Sequence, residues 1–78
     1  MILNQPQAEA VYSAMCALNN VSAGFLRTDF PHPTDKAAHI YFQTYPDGSV
    51  NVNVYHSTDR RREDYLNQAV FATAYGLN

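Results

Sequence analysis

The turn at Tyr45–Ser49 constrains the fold of this chain more than any other stretch. Pro46 presets φ for the first central position of a turn, and Asp47 suits the second. Gly48 suits the left-handed conformation that ends a type I turn in a bulge. Because apolar and polar residues alternate on both sides of the turn, the sequence predicts a β-hairpin with a three-residue loop.

The loop length also predicts the register of the hairpin. The cross-strand pairs on one face are mostly apolar: Thr44/Val50, Phe42/Val52, Ile40/Val54 and Ala38/His56. The pairs on the other face are polar or aromatic: Gln43/Asn51, Tyr41/Asn53 and His39/Tyr55. A two-residue loop would mix the two kinds, because a slip of one residue moves every side chain of a strand to the opposite face. Turn chemistry and hydrophobic pattern therefore predict the same register.

The segments before the hairpin predict a helix and a third strand. Pro6 suits the first helical position, and apolar residues then recur every three or four positions as far as Leu18. Gly24–Phe30 predicts a strand, which Pro31 ends because proline cannot continue a ladder of hydrogen bonds.

The segment after the hairpin predicts a second helix over about residues 60–75. Ser57–Asp59 offers three N-cap oxygens for its start, and Gly76 predicts a left-handed stop at its end. We expect its core stripe to consist of Leu66, Ala69, Val70 and Thr73.

These elements predict one domain over residues 1–78, with the order α-β-β-β-α. Its class is α+β, a two-layer sandwich in which two helices cover one face of a three-stranded antiparallel sheet. The hairpin alone would be only marginally stable in water, so the helices must cover its apolar face. The other face of the sheet stays open.

Composition and charge narrow the functional classes. The chain is 46% hydrophobic and 15% charged, which is typical of a globular protein rather than a disordered one. Seven acids outnumber five Lys and Arg, which argues against a broad phosphate-binding surface. Cys16 is the single cysteine, and the sequence lacks a signal peptide or membrane-spanning run. We therefore expect a cytoplasmic protein that does not bind membranes.

The sequence contains no motif for catalysis, a nucleotide or a metal. His39 and His56 flank the hairpin, but the predicted register puts them on opposite faces, so they do not suit a shared metal. We therefore expect no enzymatic activity and no cofactor.

The polar face of the hairpin is the first candidate site. It gathers Tyr41, Tyr45 and Tyr55 with Asn51 and Asn53. Tyrosine is enriched at protein interfaces because it buries area and still forms hydrogen bonds. We expect a small non-catalytic protein that occupies a partner's surface through these residues. Phages and mobile elements use compact proteins of this kind to inhibit host machinery, and a homodimer through the same face is a further expectation.

Arg60, Arg61 and Arg62 form the second candidate site. At the predicted N-terminus of the second helix they oppose the helix macrodipole, which favours acids there. That unfavourable placement indicates a use in binding. Because a guanidinium forks onto phosphate and carboxylate alike, the class of its partner group stays open.

The predicted topology, with a basic start to the second helix, resembles the double-stranded-RNA-binding domain. In that family RNA contacts helix 1, a histidine-bearing loop between the first two strands and a lysine-rich start of helix 2. Over most of the chain, the resemblance implies RNA contacts at His32, Lys36 and Arg60–Arg62. A nucleic-acid-binding module is therefore the alternative function, less favoured because of the net charge of −2.

Overall fold

The computed structural model describes residues 3–21, 24–31 and 36–77. Within these ranges the chain forms two helices and four strands. In chain order they are α1 (Gln5–Leu18), β1 (Gly24–Pro31), β2 (Ala38–Thr44), β3 (Val50–His56), β4 (Arg61–Asn67) and α2 (Gln68–Tyr75). The strands form one antiparallel sheet in the order β1-β2-β3-β4. The predicted α+β class, with two helices on one face of an antiparallel sheet, is confirmed, and β4 extends the three predicted strands by a fourth.

Helix α1 begins at a capping box. The Asn4 Oδ1 accepts a hydrogen bond from the Gln7 backbone N–H at 2.8 Å, and the Gln7 Oε1 accepts one from the Asn4 N–H at 3.2 Å. These bonds satisfy two backbone donors that a helix start otherwise leaves unpaired. The stripe predicted from the sequence faces the core, and its buried members are Ala8, Val11 and Met15.

The hairpin of β2 and β3 has the predicted turn and register. The Gly48 N–H donates to the Tyr45 carbonyl at 3.0 Å, and the Tyr45 N–H donates to the Ser49 carbonyl at 3.0 Å. Gly48 has φ 87°, the left-handed conformation that its position requires. Every predicted pair from Ala38/His56 to Thr44/Val50 is confirmed.

The core lies between the apolar face of this hairpin and both helices. Ile40 and Val52 from the sheet, with Met15 from α1 and Phe71 from α2, have no exposed surface. The helices run antiparallel, because Asn19 after α1 contacts Gln68 at the start of α2, whereas the Leu3 N–H donates to the Tyr75 hydroxyl at 3.1 Å. Because both helices contribute to one core with the apolar residues of the hairpin, they cover the same face of the sheet.

Of the helix predicted over residues 60–75, only Gln68–Tyr75 is confirmed; its predicted start is wrong, because residues 61–67 form β4. Asn67 caps α2, with its Oδ1 accepting from the Val70 N–H at 2.8 Å. The predicted cap at Ser57–Asp59 is also wrong, because Ser57 bonds to the Ala37 carbonyl and Asp59 to Arg61. The cause is non-local: the edge of β3 needs backbone partners, and pairing with β4 overrides the helix propensity of this charged segment.

The core stripe predicted for the second helix is wrong, because Ala69, Val70 and Thr73 are all exposed. Phe71 has no exposed surface, whereas Val70 is 47% exposed. Burying the larger aromatic ring removes more apolar area from water and sets the rotation of the helix. Leu66 does pack against the core, but from β4, opposite Val52. The predicted left-handed stop at Gly76 is confirmed by its φ of 67°.

Candidate functional site

The sheet face opposite the helices, which we call the open face, carries the predicted polar and aromatic residues. Along β2 and β3 they are His39, Tyr41, Gln43, Asn51, Asn53 and Tyr55. The predicted gathering of these residues on one face is confirmed by the register. Five of the six are half-buried, whereas Asn53 is 0% exposed and lies beneath the surface of the face.

Tyr41 and Tyr55 form an aromatic pair at the centre of the open face. Their ring centroids are 6.0 Å apart and the ring planes meet at 88°, an edge-to-face arrangement. Such pairs stabilise a fold by about 0.5–1.5 kcal/mol beyond the area they bury. The two rings therefore restrict each other before any partner arrives.

Tyr45 belongs to the same surface through a hydrogen bond. The Asn51 Nδ2 donates to the Tyr45 hydroxyl at 3.2 Å. Tyr45 stands at the start of the turn and is half-buried. This contact links the ring to β3, so the third tyrosine is also positioned by the fold.

The three arginines lie in the turn after β3 and at the start of β4, not at a helix N-terminus. Helix α2 begins only at Gln68, so the macrodipole argument for Arg60–Arg62 does not apply. Arg60 is exposed with φ 54°, an unusual conformation for a side-chain-bearing residue. The Arg61 Nε donates to the Asp59 Oδ2 at 3.0 Å, and this bond lowers the pKa of that carboxyl below its ordinary 3.8.

The sheet register separates Arg61 from Arg62. Arg61 is opposite His56, in the row of the core-facing residues of β3, whereas Arg62 is opposite Tyr55. Directly opposed residues of antiparallel strands belong to the same face. Of the two, Arg62 therefore belongs to the open face.

A second arginine takes a matching position on β1. The register places Arg27 opposite Tyr41. In the sheet register Arg27 thus shares a cross-strand row with Tyr41 and Asn53, and Arg62 shares one with Tyr55 and His39. Across from Asn53, β4 has a register shift between Glu63 and Leu66, where Asp64 and Tyr65 lie.

Sequence reasoning missed both of these arginine positions. Because the adjacent Phe25 and Leu26 are both apolar, the sequence does not indicate which side of β1 faces the core, and only the pairing of Leu26 with Phe42 decides it. On β4 the residues from Arg61 to Asn67 lack the alternation of apolar and polar residues that indicates a strand. Both assignments depend on which strand lies alongside, so no local signal was sufficient.

The resemblance to the double-stranded-RNA-binding domain is weakened by this arrangement. A fourth strand stands between β3 and α2, and Arg60–Arg62 lie just before it and at its start, not at the start of α2. Lys36 is exposed in the turn before β2, and His32 lies outside the described residues. The described positions therefore do not reproduce a basic start of the second helix.

The histidines and acids of the described ranges are spread over the fold. His39 lies on the open face and His56 on the core-facing side, 9% exposed, as the register predicted. Among the described residues no three His, Cys, Asp or Glu side chains are grouped as metal ligands would be. In the same part of the chain, neither helix has the length and apolar character needed to cross a membrane.

Comparisons with protein-family models, with curated proteins and with solved structures gave no match to this chain.

Proposed function

We propose that this chain is a small non-catalytic protein that binds another protein and acts by occupying its surface. The contact surface is the open face of the sheet. The observation that carries the proposal is the positioned tyrosine cluster, with Tyr41 and Tyr55 edge to face at 6.0 Å and Tyr45 bonded to Asn51 at 3.2 Å.

A positioned tyrosine is well suited to protein recognition. Its ring buries a large area and its hydroxyl still forms a hydrogen bond. Binding normally costs about 0.5–1.5 kcal/mol for each flexible side chain that becomes immobilised. Because Tyr41, Tyr45 and Tyr55 already contact neighbours on the half-buried face, much of that cost is met in the free protein.

The size of the open face matches a small interface. Strands of seven residues span about 23 Å, and four strands side by side span about 19 Å. A standard interface buries about 800 Å² on each partner. The open face supplies a large part of that area, and the exposed turn at Ser57–Arg60 beside it supplies more.

A pull-down from nuclease-treated lysate tests the proposal. We expect the Tyr41→Ala/Tyr55→Ala double variant to lose a protein that the wild type retains, because the variant removes the central rings of the open face. Val70→Ala is the matched control, since Val70 is exposed on α2 at the opposite side of the molecule. Capture that occurs only from untreated lysate, falls with salt and is lost with Arg61→Glu would instead favour nucleic-acid binding.

Three narrower expectations stay predictions. Action as an inhibitor of the phage or mobile-element kind requires the partner's activity to fall when the open face is occupied. A cytoplasmic location requires fractionation of cells. Homodimerisation through the open face predicts a mass that rises with concentration in light scattering and no longer rises after Tyr41→Ala/Tyr55→Ala.

A further inference from the structure

The side chain of Asn19 joins the hairpin turn to both helices. Asn19 lies directly after α1, and its Nδ2 group donates to the Gly48 carbonyl and to the Gln68 Oε1, each at 2.8 Å. Both N–H groups of the amide are thus used, in partly buried hydrogen bonds. The Gln68 Nε2 in turn donates to the Cys16 Sγ of α1 at 3.3 Å, which orients the acceptor that Asn19 meets. This amide therefore holds the turn against both helices.

The Gly48 carbonyl belongs to the peptide group between Gly48 and Ser49. The N–H of the same peptide group donates to the Asp47 Oδ1 at 2.9 Å. A peptide group next to glycine rotates easily, because glycine lacks the Cβ that restricts the backbone. Asn19 at the oxygen and Asp47 at the nitrogen oppose this rotation from both ends.

Tyr45 takes its backbone position from the same turn. Its N–H donates to the Ser49 carbonyl and its carbonyl accepts from the Gly48 N–H, both at 3.0 Å. Its hydroxyl accepts from the Asn51 Nδ2 at 3.2 Å. The backbone bonds place the Cα of Tyr45 and the Asn51 bond places the far end of its ring. A turn that shifts therefore moves the ring away from Asn51.

The central aromatic pair of the open face is held by contacts further from the turn. Tyr41 and Tyr55 contact each other edge to face, with their ring centroids 6.0 Å apart. Their cross-strand partners are Asn53 and His39, away from the turn along β2 and β3. A change at Asn19 should thus affect Tyr45 and spare this pair.

We infer that Asn19 is a positioning residue for the open face, because it holds Tyr45 in the conformation that the partner meets. This inference rests on the proposed function and adds to its site a residue on the helix side of the sheet. Asn19 acts through the turn. Loss of its amide therefore removes order from Tyr45 without removing contact area from the open face.

NMR of the free protein tests the positioning of Tyr45. Asn19→Ala and Asn19→Asp both remove the N–H donors, and the aspartate keeps the shape of the side chain. We expect either change to shift the ring signals of Tyr45 and the Nδ2 signals of Asn51. The ring signals of Tyr41 and Tyr55 should stay in place.

Asn4→Ala is the matched control for a general loss of stability. Asn4 caps α1 at the opposite end of that helix, where its Oδ1 accepts from the Gln7 N–H at 2.8 Å. Unfolding curves should show a loss of stability in Asn4→Ala as in Asn19→Ala, yet we expect no change at Tyr45. An equal change at Tyr45 in the control would overturn the inference.

Binding of selected peptides tests whether the position of Tyr45 matters to a partner. Peptides are enriched from a random display library on the intact wild type, and their affinities are measured by fluorescence anisotropy. For peptides whose binding requires Tyr45, Asn19→Ala should weaken the affinity about fivefold, the usual cost of immobilising one side chain. In a Tyr45→Ala background the same change should alter the affinity less than twofold, because no ring remains to be positioned.

The remaining outcomes separate this inference from the proposed function. Peptides that depend on Tyr41 and Tyr55 but not on Tyr45 overturn the role of Asn19 and leave the proposed function standing. An equal loss of affinity with Asn19→Ala in both backgrounds, or unchanged Tyr45 signals in that variant, does the same. Failure to enrich any peptide that depends on the three tyrosines overturns the proposed function, and the role of Asn19 in binding with it.

Discussion

At the scale of single residues, Gly48 is restrained by its own conformation and by a neighbour. Its φ is 87°, and a Cβ placed there would lie 3.0 Å from the Asn19 carbonyl oxygen. The Asn19 Nδ2 also donates to the Gly48 carbonyl at 2.8 Å, which holds the turn against the end of α1. The turn residues therefore both close the hairpin locally and form a tertiary contact with the end of α1.

Gly48→Ala should destabilise the fold by about 2 kcal/mol or more, because left-handed backbone costs a residue with a Cβ about 1–2 kcal/mol before any clash. Gly76→Ala is the control: its φ is 67°, but a Cβ there would meet open space. We expect the control to lose only about 1 kcal/mol. Urea unfolding measures both, and equal losses would contradict the contact with Asn19.

Asp47 gives the turn a pH dependence with a definite sign. Hydrogen bonds from the Ser49 side chain and then its backbone lower the pKa of Asp47 below its ordinary 3.8. A carboxyl with a lowered folded-state pKa stabilises the fold fully above its unfolded pKa, and this stabilisation is lost as the pH falls through the folded value.

Asp47→Ala should therefore be less stable than the wild type at neutral pH, and the difference should shrink below about pH 4, where the wild-type carboxyl becomes protonated. Thermal unfolding at a series of pH values measures that difference. Asp47→Asn keeps a side-chain oxygen as acceptor but cannot titrate, so it separates charge from hydrogen bonding. A difference between Asp47→Ala and wild type that stays constant at low pH would refute the assignment.

At the scale of elements, the boundary between β4 and α2 is the feature most sensitive to tertiary context. Asn67 ends β4 in register with Asn51 and caps α2 through the Val70 N–H at 2.8 Å. One residue thus closes a strand and opens a helix.

Asn67→Ala should cost about 1 kcal/mol of stability, the usual loss for an N-cap side chain. Asp59→Ala is the comparison, because Asp59 would be the cap if the helix began at residue 60. Its exposed bond to Arg61 predicts a smaller loss than that of Asn67→Ala. Urea unfolding followed by circular dichroism measures both variants. A larger loss for Asp59→Ala would contradict a helix that begins at Gln68 with Asn67 as its cap.

The hairpin and helix α1 could be predicted because their signals are local. Turn residues such as Pro46 and Gly48, together with alternation on both sides, leave one register that separates apolar from polar side chains. Strand β4 could not be predicted in this way. Its charged residues carry no period of two, and its pairing depends on β3, the strand before it in the sheet.

The sequence likewise predicts the positions of some residues of the candidate site and not of others. The tyrosines of β2 and β3 follow from the hairpin register, so Tyr41 and Tyr55 could be placed from sequence. Arg27 and Arg62 lie on the outer strands, whose alignment the sequence alone leaves open. Their register positions beside the tyrosines emerge only when all four strands are assembled.

At the scale of the whole molecule, one side of the sheet packs into the core, and the helices leave the other side, our proposed binding surface, uncovered. The helices join at both ends, through Asn19 and Gln68 at 2.8 Å and through Leu3 and Tyr75 at 3.1 Å. A chain of 78 residues buries only a small core, so both helices are needed to cover the apolar face of the sheet. The open face then retains partly exposed aromatic side chains that folding does not bury.

The affinity of the protein partner recovered from nuclease-treated lysate is the most direct test of the proposal that the open face is the binding surface. Isothermal titration would compare the wild type with Tyr41→Ala/Tyr55→Ala and with Val70→Ala, after unfolding curves show that all three are folded. We predict that the tyrosine variant binds at least about thirtyfold more weakly, as expected for central aromatic anchors, and that Val70→Ala binds like the wild type. Unchanged affinity in the tyrosine variant, or an equal loss in Val70→Ala, would contradict the open face as the binding surface.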